Sequence, residues 1–353
     1  MKRVKLGESE NKDRLSDLPE SLILLILSSL ESKHAVQTCV LSQRYKDLWK
    51  HLPTLTLHSS NFQTYKLFKK FLSLRDSSIA LQSLDFIKDK VGVSGRQILK
   101  KSVNYAISHK VQRLGVKHRF TGHISQIPAT VFSCQTLTHL KLSFFNVRGD
   151  APFPKSLNLP ALTNLKLEYF AFCPGDNDSA EPFSTLNSLD TLLLLHCSVR
   201  DAQILGISSL TLVNLTISDL LSHKIDLYTP NLCKLVFIAT SYQTLSGSNI
   251  SSLKHVDIDT KVYPRYENLR VLNWLSELAN IKSLTISTTF LQALYIILDR
   301  LEFKFKLPSL LELKSLKIKK DEQIQEEAAG IRKSFEAGSI ILDRILNVLL
   351  IHP

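Results

Sequence analysis

The sequence predicts an α/β solenoid, in which a small N-terminal unit of three helices precedes an irregular stack of coils with a parallel sheet on its concave face. Two observations predict this fold. Leucine occurs 63 times in 353 residues, and the pattern apolar-x-x-apolar-x-apolar recurs ten times. The segment before the first repeat instead carries apolar residues in helical runs. The chain therefore combines a repeat array with a separate helical unit.

The repeats start at spaced points along most of the chain. The ten starts are Leu81, Val111, Leu137, Leu162, Leu189, Leu212, Leu232, Leu253, Ile281 and Leu313. Successive starts lie 20 to 32 residues apart, which brackets the ~20 to 29 residues of a leucine-rich repeat. Alternate residues of each short strand point to opposite faces, so one row is buried and the residues between face the concave side. No coil can bury its apolar row alone, so neighbouring coils must stack.

Three helices are predicted before the repeats. The first begins near Asp17, which has the spacing of a capping box with Glu20. Ser32 is predicted to cap a second helix over 33–40, and a third helix is predicted over 42–49. The first helix is apolar nearly all round, so it carries more apolar surface than three short helices can hide. This excess predicts a partner surface, and the alternative is that it packs on the first coils.

Charge, cysteine content and hydropathy narrow the function classes. The 44 Lys and Arg exceed the 32 Asp and Glu by 12, but the basic residues are spread along the chain, which favours a solvated surface over a nucleic-acid site. The five cysteines lie at least 24 residues apart, as expected of reduced thiols. Apolar runs reach six residues, against the ~20 that span a bilayer. We therefore expect no membrane association and a location in the nucleus, the cytoplasm or both.

Enzyme motifs are missing from the sequence. It contains no phosphate-binding glycine loop, nucleophile elbow or H-E-x-x-H metal motif. The acidic stretch 173–182 lacks the spacing of a metal loop and is predicted to be a solvated loop, whereas 267–279 has helical apolar spacing. We therefore expect a non-catalytic interaction protein without a cofactor or a metal.

Five motifs near the N-terminus occur in a specific order. They are Asp13-Arg14-Leu15-Ser16-Asp17-Leu18-Pro19-Glu20-Ser21-Leu22, Ile26-Leu27-Ser28-Ser29-Leu30, Ser32-Lys33-His34-Ala35-Val36, Cys39-Val40-Leu41-Ser42-Gln43-Arg44 and Leu48-Trp49-Lys50-His51-Leu52-Pro53. Together they resemble the F-box of the large plant F-box/leucine-rich-repeat family. Tyr45, Ser29 and Glu31 stand where that family usually has Trp, Phe and Pro.

The resemblance implies a function. In that family the F-box binds the Skp adaptor of a cullin-based ubiquitin ligase, and the repeats hold the substrate. It implies that this chain recognises a protein substrate and meets the cullin and RING subunits through the adaptor. The implied adaptor contacts are Leu18, Pro19, Ile26, Leu27, Leu30, Val40, Leu41, Tyr45 and Trp49. The alternative is a leucine-rich-repeat scaffold outside the ligase, with the F-box as an N-terminal cap and an acidic partner or nucleic acid as ligand.

These patterns divide the chain into five segments. They are a basic and polar tail over 1–12, the F-box over 13–53, a linker with a helical cap over 54–80, about ten leucine-rich repeats over 81–318, and over 319–353 a degenerate C-terminal unit that is similar to the FBD module of the same family.

The residues between the buried positions of the strands predict a substrate site on the concave face. The candidates are Lys141, Lys166, Leu193, Leu195, Val236, Ile238, His255 and Asp257. They form an apolar centre with basic residues on one side and acidic residues on the other. Such a surface would suit a peptide segment of matching charge order, because apolar contacts supply affinity and flanking charges fix direction.

Overall fold

A computed structural model describes residues 17–62, 64–88, 95–120, 127–147, 149–174, 178–239, 243–260, 281–290 and 313–319. The predicted helix over 267–279, the tail over 1–12 and the C-terminal unit beyond residue 319 lie outside these ranges. In the part of the chain that is described, no helix is both long enough and apolar enough to span a membrane.

Residues 17–53 form the helical unit. It consists of α1 (Glu20–Ser28), α2 (Ser32–Gln37) and the 3₁₀ turns Thr38–Val40, Gln43–Tyr45 and Leu48–His51. Its small core contains Ile23, Leu27, Ala35, Tyr45, Leu48, Trp49 and Leu52. Ile23 and Leu27 lie one turn apart on α1, so a single stripe of this apolar helix is buried.

The predicted caps of the first two helices are wrong. Pro19 is the N-cap of α1, and its carbonyl accepts the N–H groups of Leu22 and Ile23 at 3.0 and 3.2 Å. Ser32 is the first residue of α2, and its buried hydroxyl accepts the N–H of Thr56 at 3.0 Å. Ser32 therefore joins the helical unit to the first strand of the solenoid.

The predicted third helix over 42–49 is also wrong, because two 3₁₀ turns replace it. Asp47 separates them, and its carbonyl accepts the N–H of Lys50 at 3.0 Å. Aspartate is a weak helix former and a stretch of eight residues is too short to be a stable α-helix by itself. Packing of Tyr45, Leu48 and Trp49 on α1 and α2 therefore decides the local conformation.

Within the described ranges, eleven parallel strands form the large sheet, in the order β1-β2-β3-β4-β6-β9-β12-β14-β16-β17-β18. They are β1 (Thr54–His58), β2 (Ser83–Lys88), β3 (Arg113–Phe120), β4 (His139–Asn146), β6 (Asn164–Glu168), β9 (Thr191–Leu195), β12 (Asn214–Ser218), β14 (Lys234–Ala239), β16 (His255–Thr260), β17 (Ser283–Ser287) and β18 (Ser315–Lys319). The order follows the chain, as expected of a solenoid in which each coil contacts only its neighbours.

Other elements connect these strands. The helices α3 (Tyr65–Leu74) and α4 (Gly95–Ser108) precede β2 and β3. Later coils carry short strands in two further parallel sheets. These are β5 (Ala151–Pro152), β7 (Phe170–Phe172), β8 (Ser179–Ala180), β10 (Ser198–Val199), β11 (Ile204–Ser208), β13 (Lys224–Tyr228) and β15 (Thr244–Asn249).

The repeat pattern identifies the core. Every apolar position of the nine repeats that start between Leu81 and Ile281 is buried. In the last repeat Leu313 and Leu316 are half-buried and Ile318 is exposed. The strands pair without a register shift within the large sheet, as in the row Leu84, Leu114 and Leu140. The predicted parallel sheet and its inward row are confirmed.

The solenoid extends one coil further towards the N-terminus than the predicted linker over 54–80 allowed. That segment contains α3 but also β1, which pairs in register with β2 from Thr54 opposite Ser83. Leu52, Leu55 and Leu57 carry the same apolar spacing as the other repeats and are all buried. The signal for this coil was therefore present in the sequence.

The helical unit packs on the first coil. Trp49 stacks on Phe71 of α3, with ring centroids 5.3 Å apart. The buried guanidinium of Arg75 donates to the carbonyls of Leu52 at 2.9 Å and Ile79 at 3.1 Å. Charge-assisted hydrogen bonds of this kind are the stronger ones in proteins. The junction is thus held by both an aromatic contact and a buried cation.

Candidate functional site

Six large apolar side chains of the helical unit are exposed, and we call them together the apolar patch. This apolar patch comprises Leu22, Leu25, Ile26, Leu30, Val40 and Leu41, which are between 37% and 87% exposed. Four of them lie on α1 or just after it, outside the buried stripe of Ile23 and Leu27. Many large apolar side chains left exposed on one small unit indicate a partner site. The predicted excess of apolar surface is therefore exposed rather than packed on the coils.

The predicted adaptor contacts divide into exposed and buried residues. Four of the predicted contacts lie in the apolar patch, namely Ile26, Leu30, Val40 and Leu41. Pro19, just before α1, is also exposed. Leu18 is half-buried, and its carbonyl accepts a hydrogen bond from the Arg44 guanidinium. A direct contact of these residues with an adaptor stays a prediction.

Leu27, Tyr45 and Trp49 are placed differently from a surface contact. All three are at most 9% exposed and belong to the small core of the helical unit. They are buried because a unit this small must use its largest side chains to fill its own interior, and their contact with an adaptor stays a prediction. Sequence reasoning missed Leu22 and Leu25, although the helical period places both on the side of α1 away from Ile23.

The second surface is the open face of the large sheet, which we define as the side whose residues alternate with the buried positions. Its middle row runs in register through the strands. The row consists of Asp85, Gly115, Lys141, Lys166, Leu193, Thr216, Val236 and Asp257. Leu195 and Ile238 lie two residues further along β9 and β14, and His255 lies two residues before Asp257. All eight predicted substrate residues thus share this face, whereas their contact with a substrate stays a prediction.

The open face is basic at strands β3, β4 and β6. Arg113 on β3 lies opposite His139 on β4, and Lys141 on β4 lies opposite Lys166 on β6. Within the described residues, the charged groups of Arg113, Lys141 and Lys166 all lie more than 4 Å from any carboxylate. Burial lowers the pKa of His139 below its usual value, and the positive charges of Arg113 and Lys141 act in the same direction. The ring therefore lies in a net positive field.

One carboxylate enters this basic region. A Cβ atom at Gly115 would collide with Asp85 Oδ1, so the glycine leaves the space that the Asp85 side chain occupies. Burial raises the pKa of the Asp85 carboxyl, and the Lys141 ammonium opposes that shift. Glu168 lies two residues beyond Lys166 on β6. The two carboxylates reduce the positive charge of the region without cancelling it, since Arg113, Lys117, Arg119, Lys141 and Lys166 are all on these strands.

Asp257, the predicted acidic residue of the site at β16, is already paired within the sheet. The Lys319 ammonium forms an ion pair with the Asp257 carboxylate across the intervening β17. Lys317 lies beside it on β18, in the same row as Asp257. The charge order of the open face is therefore basic, then apolar, then paired charges. Sequence alone did not show this pairing, because the two residues are 62 positions apart.

Three residues that directly follow β6, β9 and β12 have a left-handed backbone. They are Tyr169, His196 and Asp219, with φ of 63°, 50° and 51°. Each donates its N–H to the next coil, for example Tyr169 to the carbonyl of Leu195 at 3.1 Å. Residues other than glycine rarely adopt this region. The hydrogen bonds between coils stabilise it here.

Two of these residues, Tyr169 and His196, belong to an aromatic rim that sequence reasoning missed. The rings of Tyr169 and His196 stack with centroids 5.1 Å apart, and Phe145 meets Tyr169 edge-on at 5.0 Å. The Arg119 guanidinium lies 4.9 Å from the Phe145 ring, within the range of a cation–π contact. The rim borders the open face beside Leu195 and adds aromatic surface to it. No sequence signal indicates it, because it depends on left-handed backbone at the ends of the strands and on contacts between coils.

A polar cleft of about 240 Å³ lies on the sheet formed by β8, β11, β13 and β15. It is lined by Ser179, Glu181, Gly206, Ser208, Lys224, Asp226, Leu227, Tyr228 and Ser246. The Lys224 ammonium pairs with Asp226 Oδ1 at 2.8 Å, so the charges of the cleft are largely satisfied internally. Among the described residues, no group of three or more His, Cys, Asp or Glu side chains is placed to hold a metal ion.

Comparisons with known proteins match both units. The family described as "FBD-associated F-box protein At5g56370, LRR repeats" matches residues 99–310, and the F-box domain matches residues 15–56. Three relatives from Arabidopsis thaliana illustrate the similarity. The F-box/FBD/LRR-repeat protein At1g78750 is 26% identical over 83% of this chain and 69% of its own length. The F-box/FBD/LRR-repeat protein At1g51370 is 30% identical over 79% and 63%, and the putative FBD-associated F-box protein At5g53635 is 34% identical over 59% and 49%. The chain thus spans between about half and about two thirds of the length of these relatives.

Proposed function

We propose, because the chain belongs to the plant family of F-box proteins with leucine-rich repeats, that it is the substrate-recognition subunit of a Skp-cullin-F-box ubiquitin ligase. The family is in general one of non-catalytic adaptors. In this proposal the F-box docks on the Skp adaptor, which connects it to the cullin and RING subunits. The leucine-rich repeats hold a protein substrate in the nucleus, the cytoplasm or both.

The observation that carries the proposal is the apolar patch of the F-box. Six large apolar side chains stay exposed on a unit whose own core has seven buried residues in the described part of the chain. Leaving them in water is unfavourable by about 25 cal/mol per Å² of apolar surface. Burial against an adaptor recovers this free energy, and apolar anchors in a desolvated centre dominate most interfaces.

The arrangement of the two surfaces supports a receptor that needs no catalytic residue. The apolar patch lies on the F-box, and the candidate substrate site begins several strands away, at β4 and β6. Trp49, Phe71 and Arg75 connect the F-box to the first coil. Such a connection holds a bound substrate at a defined distance from the ligase, where proximity raises the effective concentration of a substrate lysine.

A second candidate function is a repeat scaffold outside the ligase, with the F-box serving as an N-terminal cap. The packing of the F-box on the first coil favours it. The Thr56 N–H donates to the Ser32 hydroxyl, and the Thr54 hydroxyl donates to the carbonyl of Ser28. The basic strands β3, β4 and β6 would then meet an acidic protein or nucleic acid. Binding to nucleic acid would fall steeply with salt concentration.

Co-purification distinguishes the two functions. The full chain is co-expressed with a plant Skp adaptor and analysed by size-exclusion chromatography, beside the double variant Leu25→Asp, Ile26→Asp. Leu67→Asp is the matched control, because Leu67 is about as exposed as Ile26 but lies on α3, outside the patch. The proposal predicts a stoichiometric complex that survives the control substitution and is lost in the double variant. A folded wild-type chain that forms no complex would contradict it and favour the scaffold.

A further inference from the structure

We propose that the open face binds an extended protein segment in a polyproline-II-like conformation, with an acidic side chain over Lys141 and apolar side chains three and six residues away over Leu193 and Val236. The proposal rests on the proposed function, because it names the class of segment that the substrate site accepts. The direction of the segment is left to the experiment.

The three contact points lie on one row of the sheet. Lys141, Leu193 and Val236 belong to the middle row of the open face, on strands β4, β9 and β14. One strand separates each point from the next, namely β6 with Lys166 and β12 with Thr216. Neighbouring strands are about 4.8 Å apart, so the successive contact points are about 9.6 Å apart.

This spacing selects the conformation of the bound segment. A polyproline-II helix has three residues per turn and rises ~3.1 Å per residue, so side chains three residues apart lie on one side at ~9.3 Å. In a β-strand, side chains on one side repeat at ~6.6 and ~13 Å. An α-helix offers ~10.5 Å between residues seven apart. The polyproline-II spacing fits the row most closely.

The chemistry of the row fixes which side chains the segment carries. Leu193 and Val236 are half-buried apolar residues, and Leu195 and Ile238 widen each of them into a pair. Lys141 and the adjacent Lys166 form no ion pair in the described part of the chain. An acidic side chain therefore complements this end of the row.

The other end of the row needs no charged partner residue. Asp257 follows Val236 in the row, but Lys319 already forms an ion pair with its carboxylate. The segment consequently ends at Val236. The resulting pattern is acidic-x-x-apolar-x-x-apolar, or its reverse.

Peptide binding tests the proposal on the full chain without an adaptor. The probe is the fluorescein-labelled peptide Glu-Pro-Pro-Leu-Pro-Pro-Leu, and its affinity is measured by fluorescence anisotropy at low salt. The comparison peptides carry Lys in place of Glu, leucines two, four or seven residues apart, and the reversed sequence. We expect the three-residue spacing with Glu, in one of the two directions, to bind at least about tenfold more tightly than the altered peptides.

Variants locate the binding on the row. Lys141→Glu with Lys166→Glu should weaken the Glu peptide about tenfold and improve binding of the Lys peptide. Lys141→Gln with Lys166→Gln should weaken the Glu peptide without improving the Lys peptide. Lys317→Glu is the matched control, since Lys317 is an exposed lysine in the same row at the far end of the sheet.

The outcomes separate this inference from the proposed function. Three results would overturn it. They are equal affinity for all leucine spacings, equal affinity of wild type and the lysine variants, and no binding of any peptide at millimolar concentration. A preference for the seven-residue spacing would replace the proposed conformation with a helix. Because no adaptor is present, failure here leaves adaptor docking intact, and failure of adaptor docking leaves the peptide result intact.

Discussion

The F-box and the solenoid bury their apolar residues to different extents. In the solenoid each coil covers the apolar row of its neighbour, and the open face keeps mostly polar and charged side chains. In the F-box two short α-helices and the 3₁₀ turns that follow them bury a single stripe of α1 and leave Leu22, Leu25 and Ile26 in water. A partner site is therefore visible on the F-box as an excess of apolar surface. On the solenoid the candidate substrate site differs from the rest of the open face only in the identity of the alternating residues.

The largest expected effect concerns a buried residue of the F-box. Trp49→Ala should lower the free energy of unfolding of this unit by about 3–5 kcal/mol, because it removes a core side chain and its stacking on Phe71. Leu25→Ala, an exposed position on α1, should change it by less than about 0.5 kcal/mol. Urea unfolding followed by circular dichroism measures both. A Trp49→Ala chain that keeps its stability but loses the adaptor would show that Trp49 contacts the adaptor directly.

The junction between the two regions gives the next effect. Ser32→Ala removes the acceptor of the Thr56 N–H, and a buried donor without a partner costs about 1–3 kcal/mol. Ser42→Ala, at an exposed position of the same unit, is the control. Hydrogen exchange should show faster exchange of the Thr56 amide in the first variant only. Equal exchange in both variants would mean that the hydrogen bond does not hold the units together.

A smaller effect is expected on the open face from Asp85. Its raised pKa means that the folded state binds this proton more tightly than the unfolded state, so stability falls as pH rises through the window above the usual carboxyl value. Asp85→Asn removes that dependence, so the variant should gain stability relative to wild type at pH 7 and not at pH 3. The same change should also strengthen binding of the acidic peptide, because it removes the carboxylate beside Lys141. Parallel stability curves at the two pH values would contradict this account.

The smallest effect is expected from His139. Its pKa is lowered by burial and by Arg113 and Lys141, so the folded state favours the neutral ring. The stability that this provides is present above the unfolded-state pKa of 6.5 and is lost as pH falls below it. His139→Asn should flatten the stability profile between pH 7 and pH 5. Binding of the acidic peptide should raise the pKa of His139, which an NMR titration of the ring would detect.

The solenoid was easier to predict from the sequence than the F-box, because its apolar residues follow a regular strand pattern. Alternation with a period of two fixed the faces of the strands, so residues as distant as Lys141 and Asp257 were placed correctly on one surface. The β1 coil was overlooked although Leu52, Leu55 and Leu57 carry its pattern. In the F-box the pattern predicted excess apolar surface, but not which residues are buried. That choice depends on how Tyr45 and Trp49 fill a core with few other members.

Features that depend on tertiary contacts were not predictable. The pairing of Lys319 with Asp257 joins residues two strands apart. The rim of Tyr169 and His196 requires left-handed backbone at residues where a sequence gives no sign of it. Ser32 is a residue type that often caps helices, but its hydroxyl instead accepts the N–H of Thr56 in the first strand of the solenoid. In each case the deciding partner is distant in sequence.

The central claim is that the exposed patch of the F-box, and not its buried aromatic residues, carries adaptor binding. Isothermal titration calorimetry of the full chain with a plant Skp adaptor tests it most directly, comparing wild type, Leu25→Asp and the control Leu67→Asp. The account predicts that Leu25→Asp weakens the affinity by about 30-fold or more, whereas Leu67→Asp leaves it within about twofold of wild type. Equal affinity of all three folded proteins would contradict the account.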